Sequence, residues 1–140
     1  MAAEEHLHPD ARPEPLPASS LVRTLRSFGY AGAGLAYLAR TQPNFRVHLG
    51  ATVAVLGTAL GVGATAVEFA VLVLAIGLVL LGEALNTALE ALVDLTSPMV
   101  HPLAKIAKDV AAAGVLLAAG AAAIAGIAVL GPRLYGLLVP

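Results

Sequence analysis

The stretch "EFAVLVLAIGLVLLGEALNTALEALVD", Glu68 to Asp94, decides how the chain is read. Its first half is apolar enough to sit in lipid. Its last third carries Glu83, Asn86, Glu90 and Asp94. On a helix of 3.6 residues per turn, positions 83, 90 and 94 point within about 40° of one another. Asn86 and Thr87 flank that stripe. A carboxylate facing lipid costs roughly 2.5–3.5 kcal/mol on insertion scales. Polar residues at a helix end often only solvate the membrane interface, which accounts for any one of them. Four on one stripe ask for more. Three carboxylates on one face repel each other, and a divalent cation or a basic partner would relieve that repulsion. Magnesium suits clustered carboxylate oxygens and brings phosphates with it.

The rest of the chain fits a lipid-embedded helix. Of 140 residues, 59% are hydrophobic and 12% charged, where a soluble domain carries about 25% charge. Mean hydropathy is +0.86. A net charge of −1 excludes a nucleic-acid partner recruited by bulk basic charge. With no cysteine there is no disulfide framework and no thiolate metal site. The opening "MAAEEHLHPD" has neither a basic nor an apolar region of the signal-peptide kind. Residues 1–18, with four prolines, read as a disordered cytoplasmic tail. His6 and His8 there have no metal-site spacing.

Residues 19–140 read as one all-α integral membrane domain. Three transmembrane helices are expected, at about 47–67, 69–92 and 108–130. The third is rich in Ala and Gly, which lets helices approach closely in lipid. Ahead of them, "LVRTLRSFGYAGAGLAYLAR" predicts a helix over about 20–41. It has Leu21, Leu25, Phe28 and Leu35 on one side and Arg23, Arg26, Tyr30, Tyr37 and Arg40 on the other. That pattern suits a helix lying in the membrane surface. Pro43 ends it.

Seven of the eight basic residues fall before the first expected span or between the second and third; Arg133 alone follows the third. The basic side is expected to be cytoplasmic, which puts the carboxylate stripe where ATP is available. The loop between the first two spans, around Gly63 to Glu68, is expected on the other side, and Glu68 there reads as a lone span-end residue without a partner. "HPLAKIAKD", 101–109, supplies the basic counterpart. His101, Lys105 and Lys108 share one face at helical spacing, near a helix N-terminus suited to anions. Metal and lysine around a polyphosphate is the general equipment of phosphoryl transfer. The chain has no G-x-x-x-x-G-K-[ST] loop and no kinase-type glycine loop.

"EALNTALEALVD", 83–94, resembles the signature E-x-[LIVM]-N-[ST]-[SA]-[LIV]-E-x-x-V-D of the prokaryotic diacylglycerol kinase and undecaprenol kinase family. The likeness extends through "HPLAKIAKD" and back to "SFGYAGAGLAYLARTQPNFRVHL", covering roughly residues 20–130. It implies a small homotrimeric lipid kinase of the bacterial inner membrane. Such an enzyme has a surface helix, three spans and active sites shared between subunits. ATP is the donor, magnesium the cofactor and a membrane lipid alcohol the acceptor. By this resemblance Glu83 is the catalytic base, and Glu90 a metal ligand that also meets ATP. Asn86 and Asp94 shape the site. Lys108 and Asp109 bind nucleotide, with His101 just before them. Arg23 and Tyr30 align with nucleotide contacts on the surface helix, and Ala112 falls at a lipid-contacting position.

One position departs from the family. Where the stretch before the first span usually begins with glutamate, this chain has "QPNFRVH", 42–48. Gln42 thus replaces a second metal-ligating carboxylate with an amide oxygen, which binds magnesium without charge. "HPLAKIAKD" and "NFRVHL" look more like the undecaprenol kinase branch, so undecaprenol is the expected acceptor. Diacylglycerol is the alternative. A kinase weakened at Gln42 and a non-catalytic helical oligomer stay open.

Overall fold

The computed structural model describes residues 20–97, 99 and 101–139. Among them are four helices: α1 (Ser20–Thr41), α2 (Pro43–Gly61), α3 (Ala66–Thr96) and α4 (Pro102–Leu138). The tail expected over 1–18 lies outside the described residues. Residues up to Gly34 form one unit and those from Leu35 a second.

In the first unit, α1 leaves Leu21, Leu25 and Phe28 exposed. The second unit begins with the last turns of α1. Gln42 is extended at φ −103° and ψ 106°, as a residue before proline prefers, and Pro43 opens α2. Arg46 Nη1 donates to the Arg40 carbonyl at 3.1 Å, placing a cation on the open C-terminal carbonyls of α1.

The first expected span is shorter than its sequence suggested. The uncharged run that read as one span includes the turn after Gly61 and the start of α3. Gly63 takes φ +67°, and the Ala64 N–H bonds to the Ala59 carbonyl at 2.9 Å. From Leu49 to Gly61 only roughly 20 Å of apolar helix remains, against about 30 Å of hydrocarbon. Two helices, not three, are long and apolar enough among the described residues to cross a membrane: α3 with 31 residues and α4 with 37. Only 17% and 11% of their most apolar windows are buried, so neither is the enclosed core helix of a soluble protein. Leu74, Leu116, Leu117, Ile124 and Ile127 all face outward.

α3 and α4 pack along each other most extensively. A Cβ on Gly82 would stand 3.7 Å from Val115 Cα, so the two backbones come close beside Glu83. A small core of Ala59, Leu72 and Leu130, with Phe69 packed against it, joins α2, α3 and α4 near the α2–α3 turn.

Glu68 is not the lone residue expected from sequence. Thr65 and Glu68 form a reciprocal capping box at the start of α3. Arg133 Nε donates to Glu68 Oε1 at 3.1 Å, and Arg133 Nη2 donates to Oε2 at 2.5 Å. The same guanidinium reaches the Gly63 carbonyl at 2.9 Å. The basic residue left by itself on that side is therefore the clamp for this end of the bundle. Pro132, just before it, lacks the N–H that an inner helical residue contributes.

Candidate functional site

The stripe on α3 forms as its spacing requires, but its members differ in environment. Glu83 is 2% exposed and Thr87 6%. Glu90 is half-buried, and the Asp94 side chain is 67% exposed. Glu83 has no hydrogen-bond partner among the described residues. Asn86 Nδ2 donates to Glu90 Oε1 at 3.1 Å. This fixes the Asn86 amide and leaves its buried Oδ1, like Thr87 Oγ1, without a partner. Buried polar groups are normally satisfied, so this clustering of exceptions marks the place where something else must bond.

Glu83 and Asn86 open onto a cavity of about 270 Å³ between α2, α3 and α4. Asn44, Val47 and His48 line it from α2, Glu83 and Asn86 from α3, and Ala112 and Val115 from α4. Three residues singled out from sequence, Glu83, Asn86 and Ala112, thus share one space. Asn44 and His48 join them without any role read from sequence. The only signal for them was their place in "QPNFRVH".

The lysines of "HPLAKIAKD" meet carboxylates. Lys108 pairs with Asp94, tying the end of α3 to the start of α4. Lys105 pairs with Asp109 one turn on. Repulsion along the stripe is thus relieved at Asp94 by a lysine. His101 precedes α4 as its N-cap, and its carbonyl accepts the Lys105 N–H at 3.1 Å. Its Nδ1 accepts from the Leu103 N–H at 3.2 Å. Gln42 caps α2 without a side-chain cap bond, two residues before Asn44. Arg23 and Tyr30 lie in the N-terminal unit, exposed on α1.

Among the described residues no three His, Asp or Glu side chains gather closely enough to cage a metal. Magnesium does not need a cage: it usually takes one or two carboxylates and completes its shell with water and phosphate oxygens. The free oxygen of Glu90 and the unpartnered Asn86 Oδ1 are hard donors of that type. The donor set fits magnesium held together with a phosphate ligand.

A family model described as prokaryotic diacylglycerol kinase matches residues 29–130. A diacylglycerol kinase of Synechocystis is 52% identical over 116 residues. That match covers 82% of this chain and 66% of the relative, so the chain spans just under two thirds of that protein's length. An undecaprenol kinase of Bacillus subtilis is 40% identical over 116 residues, covering 83% of this chain and 94% of the relative.

Proposed function

Since the chain belongs to the prokaryotic diacylglycerol kinase family, we propose that it transfers the γ-phosphoryl group of ATP to the hydroxyl of a membrane lipid alcohol. Diacylglycerol is the leading acceptor, giving phosphatidic acid. The observation that carries this reading is Glu83, a buried carboxylate with no partner that opens onto a cavity between membrane helices.

Glu83 accepts the proton of the lipid hydroxyl. The hydroxyl oxygen bonds to the γ-phosphorus, the bond from that phosphorus to the β–γ bridging oxygen breaks, and ADP leaves. Asn86 holds Glu90 in place and turns its own carbonyl oxygen to the site. Glu90, with the Gln42 amide, would hold magnesium, which supplies charge neutralisation on the phosphates when bound. Lys108 exchanges Asp94 for phosphate when nucleotide arrives, and Asp109 and His101 complete the nucleotide side on α4. The enzyme works as a homotrimer, with the exposed apolar faces of α3 and α4 against neighbouring copies and lipid. α2 runs beside them in the same layer, its roughly 20 Å of apolar helix being shorter than the hydrocarbon is thick. The Asp94–Lys108 end faces the cytoplasm, and α1 lies on the membrane surface.

The branch preference read from "HPLAKIAKD" and "NFRVHL" pointed to undecaprenol. The relative of higher identity carries the name diacylglycerol kinase, which moves diacylglycerol to the front. Undecaprenol stays as the second reading because the Bacillus subtilis relative is matched over 94% of its length. Labelled ATP supplied to the protein in liposomes with both lipids tests the proposal. Label in phosphatidic acid supports it, and label only in undecaprenyl phosphate selects the second reading. No label in either lipid, from intact protein with ample magnesium, refutes the kinase.

A further inference from the structure

Only two polar side chains are buried among the described residues, Glu83 and Thr87. They stand four positions apart on α3, so they are neighbours on one helix face. The transfer step uses Glu83 and leaves Thr87 without a part. Thr87 Oγ1 is buried and has no hydrogen-bond partner.

A threonine inside a helix has a ready acceptor in the carbonyl four residues back. Thr41, Thr52 and Thr96 each donate to it, at 2.8–2.9 Å. Thr87 does not, although its burial makes a missing bond costlier. Asn86 Oδ1 is also unpartnered, but adjacent residues on a helix do not face each other. Across from this face, α4 approaches with Val115, which is aliphatic. The complementary group is therefore the Glu83 carboxylate. An ionised carboxylate only accepts, and a hydroxyl donates once. Threonine divides between two χ1 rotamers in helices, so the hydroxyl can turn toward it.

Resting on the lipid kinase reading above, we propose that Thr87 is the positioning residue of the base, its hydroxyl donating to one oxygen of the Glu83 carboxylate. That bond fixes the plane of the carboxylate and leaves the second oxygen toward the cavity. The lipid hydroxyl gives its proton to this second oxygen as its own oxygen bonds to the γ-phosphorus. Thr87 keeps its proton throughout. Bonds of this kind tighten as the substrate engages the base. The same bond offsets part of the cost of a charge held between helices.

Thr87→Val keeps the shape and removes the hydroxyl. One hydrogen bond to a charged group corresponds to about 10- to 100-fold. In liposomes kcat is expected to fall by that factor, with KM for ATP and for the lipid within about twofold of the wild type. Thr87→Ser, which keeps the hydroxyl, should retain most of kcat. The melting temperature of Thr87→Val in detergent should hold, because no bond present in the structure is lost. A merely structural threonine would give the reverse: a lower melting temperature, and a rate per folded molecule that does not follow the hydroxyl. If Thr87→Val does not fold, Thr87→Ser against Thr87→Ala makes the same comparison, since those two differ by the hydroxyl alone. An unchanged kcat in Thr87→Val overturns the proposal. So does a Thr87→Ser variant as slow as Thr87→Val or Thr87→Ala, or a loss confined to KM. Each of these outcomes leaves the lipid kinase standing, whereas a wild type that phosphorylates no lipid removes that reading itself.

Discussion

Glu68 and Glu83 lie about four turns apart on the same helix, and the protein treats them in opposite ways. Glu68 has both oxygens engaged, by Arg133 and by the Thr65 backbone and hydroxyl, although it is the more exposed of the two. Glu83 is buried, and no donor meets it. The Glu68 end also holds the small aliphatic core and the one glycine with positive φ. The Glu83 end holds Asn86 Oδ1 and Thr87 Oγ1, both buried and unpartnered. A carboxylate whose bonds are complete accounts for itself structurally. A carboxylate buried without bonds costs folding free energy, and such costs are concentrated where a protein does its chemistry.

If that contrast is functional, the largest effect belongs to Glu83. Glu83→Gln keeps the shape and removes the base, so transfer is expected to fall by about 10²–10⁴. The melting temperature in detergent should hold or rise, because a buried unpaired acid is gone. A loss of activity accompanied by a matching loss of stability would make Glu83 a structural group like Glu68.

Lys108 should come next. Its pair with Asp94 is largely in solvent, the two side chains being 36% and 67% exposed, so the pair is worth at most about 0.5 kcal/mol of stability. Lys108→Met is therefore expected to leave the melting temperature almost unmoved while raising KM for ATP about tenfold, the effect of roughly one charge-assisted hydrogen bond. An unchanged KM would leave Lys108 as a helix-to-helix tie and nothing else. Gln42→Glu should act in the opposite direction and more weakly. Adding a charged ligand is expected to lower the magnesium needed for half-maximal rate by about threefold. A titration curve that does not move would take position 42 out of the metal site.

The two ends were not equally legible in the sequence. The Glu83 stripe depends on spacing within one helix, and periodicity gives that directly. The break between α1 and α2 was marked by Pro43. The end of α2 was marked less sharply: a loop is expected around Gly63 to Glu68, but the uncharged residues from Gly61 to Val67 read alike as a span or as a turn. Charge content does not distinguish them; the left-handed Gly63 does. The partner of Glu68 lies 65 residues away, and only packing of α4 against the turn brings Arg133 there. Thr65 to Glu68 did carry a local clue, since T-x-x-E is a capping box. Which acid each lysine takes was likewise a matter of packing: Lys108 reaches back to Asp94, while Lys105 stays on its own helix with Asp109.

Arg133 gives the smallest expected effect on catalysis and the sharpest check on the contrast. Arg133→Met removes the bonds to Glu68, to the Gly63 carbonyl and to the Val62 carbonyl, leaving a half-buried acid and a turn with fewer partners. Because the clamp fastens α4 to both α2 and α3, its loss should lower the melting temperature by roughly 5 °C. Yet the rate per folded molecule should stay within about twofold, since helices transmit little when the changed contact lies several turns from the reacting atoms. Glu68→Gln, which retains most of the shape, should reproduce a smaller part of the same loss. If instead Arg133→Met keeps its melting temperature and loses transfer, the two ends of α3 are coupled. The completed hydrogen bonds of Glu68 would then be part of how the unpartnered Glu83 is held in position.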